Sequence, residues 1–152
     1  MIKVCQDRFD PWVEISRFQD SATSMAGRYG ACNAFVGTMR DFNEGDSVTR
    51  MVLDHYPGMT EKQLEKIVDR VKQRWSLLDV LVMHRVGAIL PNEPIVLVAV
   101  WASHRGDAFD AGRQIMESLK TEAPFWKKER LVDGTERWVE HNSSGYSSQS
   151  CR

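Results

Sequence analysis

PIVLVAVWAS, residues 94 to 103, carries no polar side chain before Ser103. Successive residues of a strand point to opposite faces, so a strand apolar at every position is covered on both and lies inside its sheet. Upstream, DVLVMHRVGAIL, 79 to 90, reads as a second strand, joined to the first through the turn PNEP. Downstream the period changes. Phe109, Gly112, Met116, Leu119 and Ala123 fall on one side of a helix predicted from about 106 to 123, with Asp107 as its N-cap and Pro124 as its stop.

The remaining elements arrange themselves around this pair. Ile2 and Val4 alternate as in a half-buried strand, and Asp10-Pro11 opens a short helix as N-cap and first helical residue. ACNAFVGTMR, 31 to 40, and VTRMVLDHY, 48 to 56, flank the turn-rich DFNEGD and predict a long hairpin. A helix over 60 to 78 has a capping box in Thr60 and Gln63, a staple in Met59 and Leu64, and an apolar stripe of Leu64, Ile67, Val68, Val71, Trp75 and Leu78. WKKERLV and TERWVEH close the series as a hairpin around Asp133-Gly134. Strands and helices mixed with hairpins indicate an α+β fold, a mixed and mostly antiparallel sheet packed against two main helices, rather than a βαβ succession.

At 152 residues this is one domain by length, long enough to bury ~68% of its unfolded surface. We place that domain at 1–141 and a flexible serine-rich tail at 142–152, because the small polar residues of NSSGYSSQS support no core. A net charge of −1 argues against a general binder of nucleic acid or membrane surfaces. The apolar run 95–102 is too short to span a bilayer, and the N-terminus lacks a signal-peptide pattern. Cys5, Cys32 and Cys151 have no partner at metal-ligand spacing, and Cys5 and Cys32 read as small apolar residues. Together these features point to a reducing cytoplasm.

The chemistry concentrates in LKTEAPFWKKE, 119 to 129. Lys120 follows Met116 by four residues and so borders the buried stripe, where an ammonium is partly desolvated and its pKa falls below ~10.4. Alternation then puts Lys127 and Glu129 on one strand face and Trp126, Lys128 and Arg130 on the other, so only one neighbouring lysine can share a pocket with Lys120. The structural alternative is that Lys120 complements the helix dipole while the strand lysines guard an edge. In ASHRGDAF, His104 and Arg105 stand where a strand meets a helix N-terminus, an arrangement suited to an anion such as phosphate. His84-Arg85, the same dipeptide inside a strand, reads as structural. GTMR, comprising Gly37, Thr38, Met39 and Arg40, ends a strand with close backbone approach at Gly37 and a third cation at Arg40, which could instead pair with Asp41 or Glu44. No Ser/His/Asp spacing, phosphate-binding glycine loop or zinc pattern is present in the sequence.

FVGTMRDFNEG, HYPGMTEKQLEKIV, HRVGAILPNEPIVLVAVWASHRGDAF, LKTEAPFWKKE and RWVE, in this order, resemble the large, catalytic subunit of molybdopterin synthase over roughly residues 2 to 141. The resemblance implies an α/β-hammerhead fold and conversion of cyclic pyranopterin monophosphate to molybdopterin. Two sulfurs would come from the C-terminal Gly-Gly thiocarboxylate of a small ubiquitin-like subunit, with large subunits paired as a homodimer inside a heterotetramer. It implies no bound prosthetic group and no metal. Carried over by position, Lys120 and Lys127 are catalytic, and Thr38, Met39, Arg40, His104, Arg105, Lys128 and Glu129 join them in binding substrate. Two other readings compete with it. One is a non-enzymatic module that docks a ubiquitin-like protein or an anion; the other is a single-strand nucleic-acid surface through Phe125, Trp126, Lys127 and Lys128, which the near-neutral charge disfavours.

Overall fold

The computed structural model describes residues 1–142 and Gly145; most of the serine-rich tail, Cys151 included, lies outside the described residues. The chain runs β1 (Ile2–Cys5), α1 (Pro11–Ser21), a 3-10 turn (Thr23–Met25), β2 (Ala31–Thr38), β3 (Phe42–Asn43), β4 (Asp46–His55), α2 (Met59–Arg74), β5 (Leu77–Arg85), β6 (Gly87–Ile89), β7 (Pro94–Ala102), α3 (Arg105–Glu122), β8 (Phe125–Leu131) and β9 (Glu136–Val139). Two sheets form. The first has the order β1-β5-β7-β2 and is antiparallel except for β1 against β5; the second has β3-β4-β8-β9, with β6 also on β4. The fold is α+β, and no helix among the described residues is long and apolar enough to cross a membrane.

β7 is internal, as its composition requires. Val96, Val98 and Val100 face α2 and α3 and meet Leu64, Ile67, Val71, Ile115 and Leu119. Leu97, Ala99 and Trp101 face the other way, onto Phe9, Phe18 and Met25. The Trp101 ring packs 5.1 Å from Phe18 and its indole N–H donates to Gln19. α1 begins as expected, with the Asp10 carboxylate accepting from the Trp12 and Val13 amides.

The long hairpin between 31–40 and 48–56 does not form. β2 lies against β7, from Ala31 opposite Ala102 to Thr38 opposite Pro94, while β4 pairs with β8 and β6. Both segments are strands, but the open edge of the apolar β7 and the edge of β8 bury more surface than the two would bury against each other. Met39 carries the chain between sheets, its side chain buried with Val48, Met51, Leu53 and Ile89. Only Phe42–Asn43 and the start of β4 form a tight hairpin, turning at Glu44 and Gly45, both with positive φ. The predicted strand 79–90 is likewise two: Gly87, at φ 80°, bends the chain out of the first sheet so that β6 can join β4.

Both helices differ in detail from expectation. α2 stops at Arg74, because Trp75 is already extended and Leu77 and Leu78 belong to β5. Its first turn is closed by Glu61, which accepts from the Gly58 amide at 2.7 Å, while the Thr60 hydroxyl accepts from Tyr56 N–H and donates to the Pro124 carbonyl. The Thr60–Gln63 box is therefore absent, and the exposed Met59 forms no staple. α3 takes His104, not Asp107, as N-cap, and buries Ala108, Ala111, Gly112, Ile115, Ser118 and Leu119 while Phe109 is exposed. Small residues win that face because the helix lies close on β2 and β7. A Cβ at Gly112 would stand 2.4 Å from Asn33 Nδ2, which donates to the Ala108 carbonyl at 3.1 Å. Gly112→Ala is accordingly expected to lower stability by about 1–3 kcal/mol in urea denaturation, despite its better helix propensity. The loss should shrink in an Asn33→Ala background.

Candidate active site

Lys120 lies in the last turn of α3, and Pro124 turns the chain directly into β8, so Lys120 and Lys127 are held by one connector. That connector is anchored from below. Phe125 stacks on the His84 ring with centroids 3.8 Å apart, and the Pro124 carbonyl accepts from Thr60. His84 is itself buried, with Nδ1 at 2.8 Å from the Arg85 carbonyl, which requires the proton on Nδ1. Arg85 pairs with Glu93 at 2.7 Å and donates to the Ala88 carbonyl, so this dipeptide is structural as expected.

Burial, foremost, pulls the His84 pKa from an ordinary 6.5 to about 4. Above about pH 6.5 both folded and unfolded states carry it neutral. As pH falls through that value the unfolded chain gains a proton that the folded chain refuses until about pH 4, so stability declines across this window and levels off below it. His84→Phe, which preserves an aromatic stack, should flatten that part of a stability-versus-pH profile measured in urea.

Much of the Lys120 side chain is open to solvent, yet partial desolvation still leads in drawing its pKa below the usual lysine value, followed by the positive charges of Lys127 and Arg40; Glu117 opposes them. Two cations from two other segments thus act on Lys120. Arg40 is exposed and stands over the Phe42 ring, 4.8 Å from its centroid. Lys127 is tied at 3.7 Å to Glu129, whose carboxylate is only 4% exposed. Glu129 also accepts from Asn43 Nδ2 at 3.0 and 3.2 Å and from Arg137 Nε at 3.3 Å. Asn142 donates to the Lys120 carbonyl.

The other predicted positions fall elsewhere. Lys128 points to the opposite face of β8, where it pairs with Glu136 at 2.5 Å and lies near the Trp138 ring. Thr38 is exposed at the end of β2, while Met39, next to Arg40, has its side chain buried in the core. His104 and Arg105 are exposed at the first turn of α3. From Arg105 to Lys120 is fifteen residues, about 22 Å of helix axis. A single copy of the chain therefore brings together Arg40, Lys120, Lys127 and Glu129 and leaves His104 and Arg105 at the far end of α3. Sequence reasoning missed Asn43 and Arg137. The hairpin at Asp133-Gly134 carried the signal for the second, since its register sets Arg137 opposite Glu129. Among the described residues no group of three or more His, Cys, Asp or Glu is placed to hold a metal ion.

An amine of lowered basicity under a positive field can hold an anion, pass a proton or carry an acyl group, chemistry that suits a group-transfer enzyme subunit on this α+β frame. The family model described as MoaE protein matches residues 9–122. The chain is 52% identical over 141 residues to the molybdopterin synthase catalytic subunit of Ralstonia nicotianae, covering 91% of this chain and 76% of that protein. Its structure resembles the molybdopterin biosynthesis MoaE protein from Burkholderia ambifaria with TM-score 0.77 at 48% identity, over 95% of this chain and 91% of that one. A Helicobacter pylori chain, from a complex of subunits 1 and 2 of molybdopterin-converting factor, shares the fold at 20% identity with TM-score 0.76, over 93% and 92% of the two chains. This chain belongs to the MoaE family, that of the molybdopterin synthase catalytic subunits.

Proposed function

We propose that the protein is the catalytic subunit that converts cyclic pyranopterin monophosphate to molybdopterin, taking two sulfurs in turn from the C-terminal thiocarboxylate of a small ubiquitin-like subunit. The observation that carries this reading is the convergence of Lys127 and Arg40 on a partly desolvated Lys120. Family membership supports the substrate, and the two-subunit Helicobacter pylori complex supports the partner. Because about 22 Å of helix separates Arg105 from Lys120, the reading has a second copy of the chain deliver His104 and Arg105 to each pocket, within a homodimer flanked by two small subunits.

In this mechanism Arg40, with His104 and Arg105 of the second copy, anchors the cyclic phosphate and stabilises the oxyanion that develops as its C–O bond breaks. The thiocarboxylate sulfur forms the new C–S bond, leaving the small subunit attached as a thioester. Lys127 stabilises the oxyanion when water adds to the thioester carbonyl, and Lys120 moves the proton, or takes the acyl group before water does. Hydrolysis frees the small subunit as a carboxylate and leaves the thiol on the substrate; a second loaded subunit then delivers the other sulfur to the neighbouring carbon, where the displaced oxygen leaves as water while the opened phosphate stays attached as a monoester, and the second thioester is hydrolysed in the same way. Lys128 has no part in it.

The test is a single-turnover mixture of this protein, a thiocarboxylated small subunit and cyclic pyranopterin monophosphate, with dithiolene product quantified. Product is expected. None from a folded, partner-bound protein would overturn the reading in favour of a non-enzymatic docking module.

A further inference from the structure

The Arg137 guanidinium reaches three places at once. Nε donates to Glu129 at 3.3 Å, Nη1 to Asp46 at 2.7 Å and Nη2 to the Asn43 carbonyl at 3.1 Å. Asn43 and Asp46 belong to the tight hairpin that follows Arg40, and Glu129 is the partner of Lys127. One side chain on β9 therefore ties the segment bearing Arg40 to the strand bearing Lys127. Without it, a carboxylate only 4% exposed would have one amide and one ammonium for company, and burial makes such a charge seek its nearest cation. That cation is Lys127.

We propose that Arg137 is a positioning residue: by occupying Glu129 and the hairpin together, it holds Lys127 at its long 3.7 Å contact with the buried carboxylate instead of a closer one, and so keeps the segments bearing Lys127 and Arg40 in place about Lys120. A planar guanidinium suits this task, since its N–H groups fan out to partners on separate segments, which an ammonium on a single stem cannot do. The inference rests on the proposed roles of Lys120 and Lys127 for its functional meaning, but its geometry can be tested without turnover.

The groups whose charge bears on Lys120 are Lys127, Arg40 and Glu117, and those around Glu129 are Lys127, Arg137 and, through Arg137, Asp46; His84, packed nearby, is neutral in the folded protein down to about pH 4. Lys120 therefore reports their placement. The experiment is labelling of the intact protein by acetic anhydride at a series of pH values, with acetylation of Lys120 read by peptide mass mapping. In Arg137→Met the Lys120 midpoint should move up, because Lys127 sinks onto Glu129 and its field on Lys120 is offset. Adding Glu129→Gln removes the carboxylate that captures Lys127 and should bring the midpoint back down. If Arg137→Met does not fold, Arg137→Gln, which keeps one hydrogen bond and loses the charge, is labelled with the same expected rise. A midpoint unchanged in the single variant, or equally raised in the double, would reduce Arg137 to a structural residue and overturn the proposal. Turnover of the folded single variant should fall roughly 10- to 100-fold. A wild type that labels as expected but makes no product would sink the proposed function and leave the positioning role standing.

Discussion

Lys120→Ala is expected to cut single-turnover product formation by roughly 10²- to 10⁴-fold, the usual worth of a positioned proton-transfer group, with partner binding retained. The variant should fold normally. Lys120 is an exposed residue at a helix end, and its ammonium is held under the positive fields of Lys127 and Arg40, so its removal relieves repulsion and opens no cavity. Lys120→Arg separates two roles the position could have. An arginine keeps the charge but does not deprotonate near neutral pH. If Lys120 only binds the phosphate, Arg restores most of the activity; if it works as a base or nucleophile, Arg is nearly as poor as Ala. We expect the second. The pH profile supplies the sign: lowering a lysine's pKa enlarges its neutral fraction at any given pH, so wild-type turnover should rise with pH along a limb lying below that of an ordinary lysine. That limb should vanish in Lys120→Ala.

The second large effect is a recovery. A His104→Ala, Arg105→Ala double variant and Lys120→Ala should each be nearly inactive when assayed alone. Mixed, unfolded and refolded together, they should regain activity if each pocket draws Lys120 from one copy and His104 with Arg105 from another. In a random mixture of equal parts about half the dimers are mixed, and each mixed dimer has one intact pocket of two, which returns about a quarter of wild-type activity by symmetry of the pair. The physical basis is the rigidity of α3. Its eighteen residues keep the two groups on one straight element, so no loop movement within a copy brings them to one small substrate. Failure of the mixture to exceed its parents would confine the chemistry to Arg40, Lys120, Lys127 and Glu129 of a single chain.

Legibility followed the range of the forces involved. Local chemistry read well: Asp10 caps α1, Pro124 ends α3 with Ala123 already extended, and the Asp133-Gly134 hairpin forms with Gly134 at positive φ. Period-2 alternation correctly set Lys127 with Glu129 and turned Lys128 away. Non-local choices read poorly. β2 and β4 were recognisable as strands, but adjacency in sequence suggested that they pair, and each instead found a partner tens of residues away. On α3 the sequence placed Gly112, Met116, Leu119 and Ala123 on the packed side correctly but erred at Phe109, which is exposed, because hydrophobicity favoured it while the close approach of the helix to Asn33 gives that margin to Ala108 and Ala111.

By itself, then, the sequence determined that β7 is covered on both faces, that the fold is α+β, that Lys120 stands at the margin of a buried helix stripe, and that Lys127 and Glu129 share one strand face with Lys128 on the other, because each of these follows from periodicity and from the steric limits of single residues. The tertiary structure alone decided which strands pair, that Arg137 and Asn43 close around Glu129, and that His104 and Arg105 stand a helix length from Lys120. Strand pairing and charge networks are settled by which distant surfaces bury best together, and a linear chain carries that information only in the sum of all its contacts.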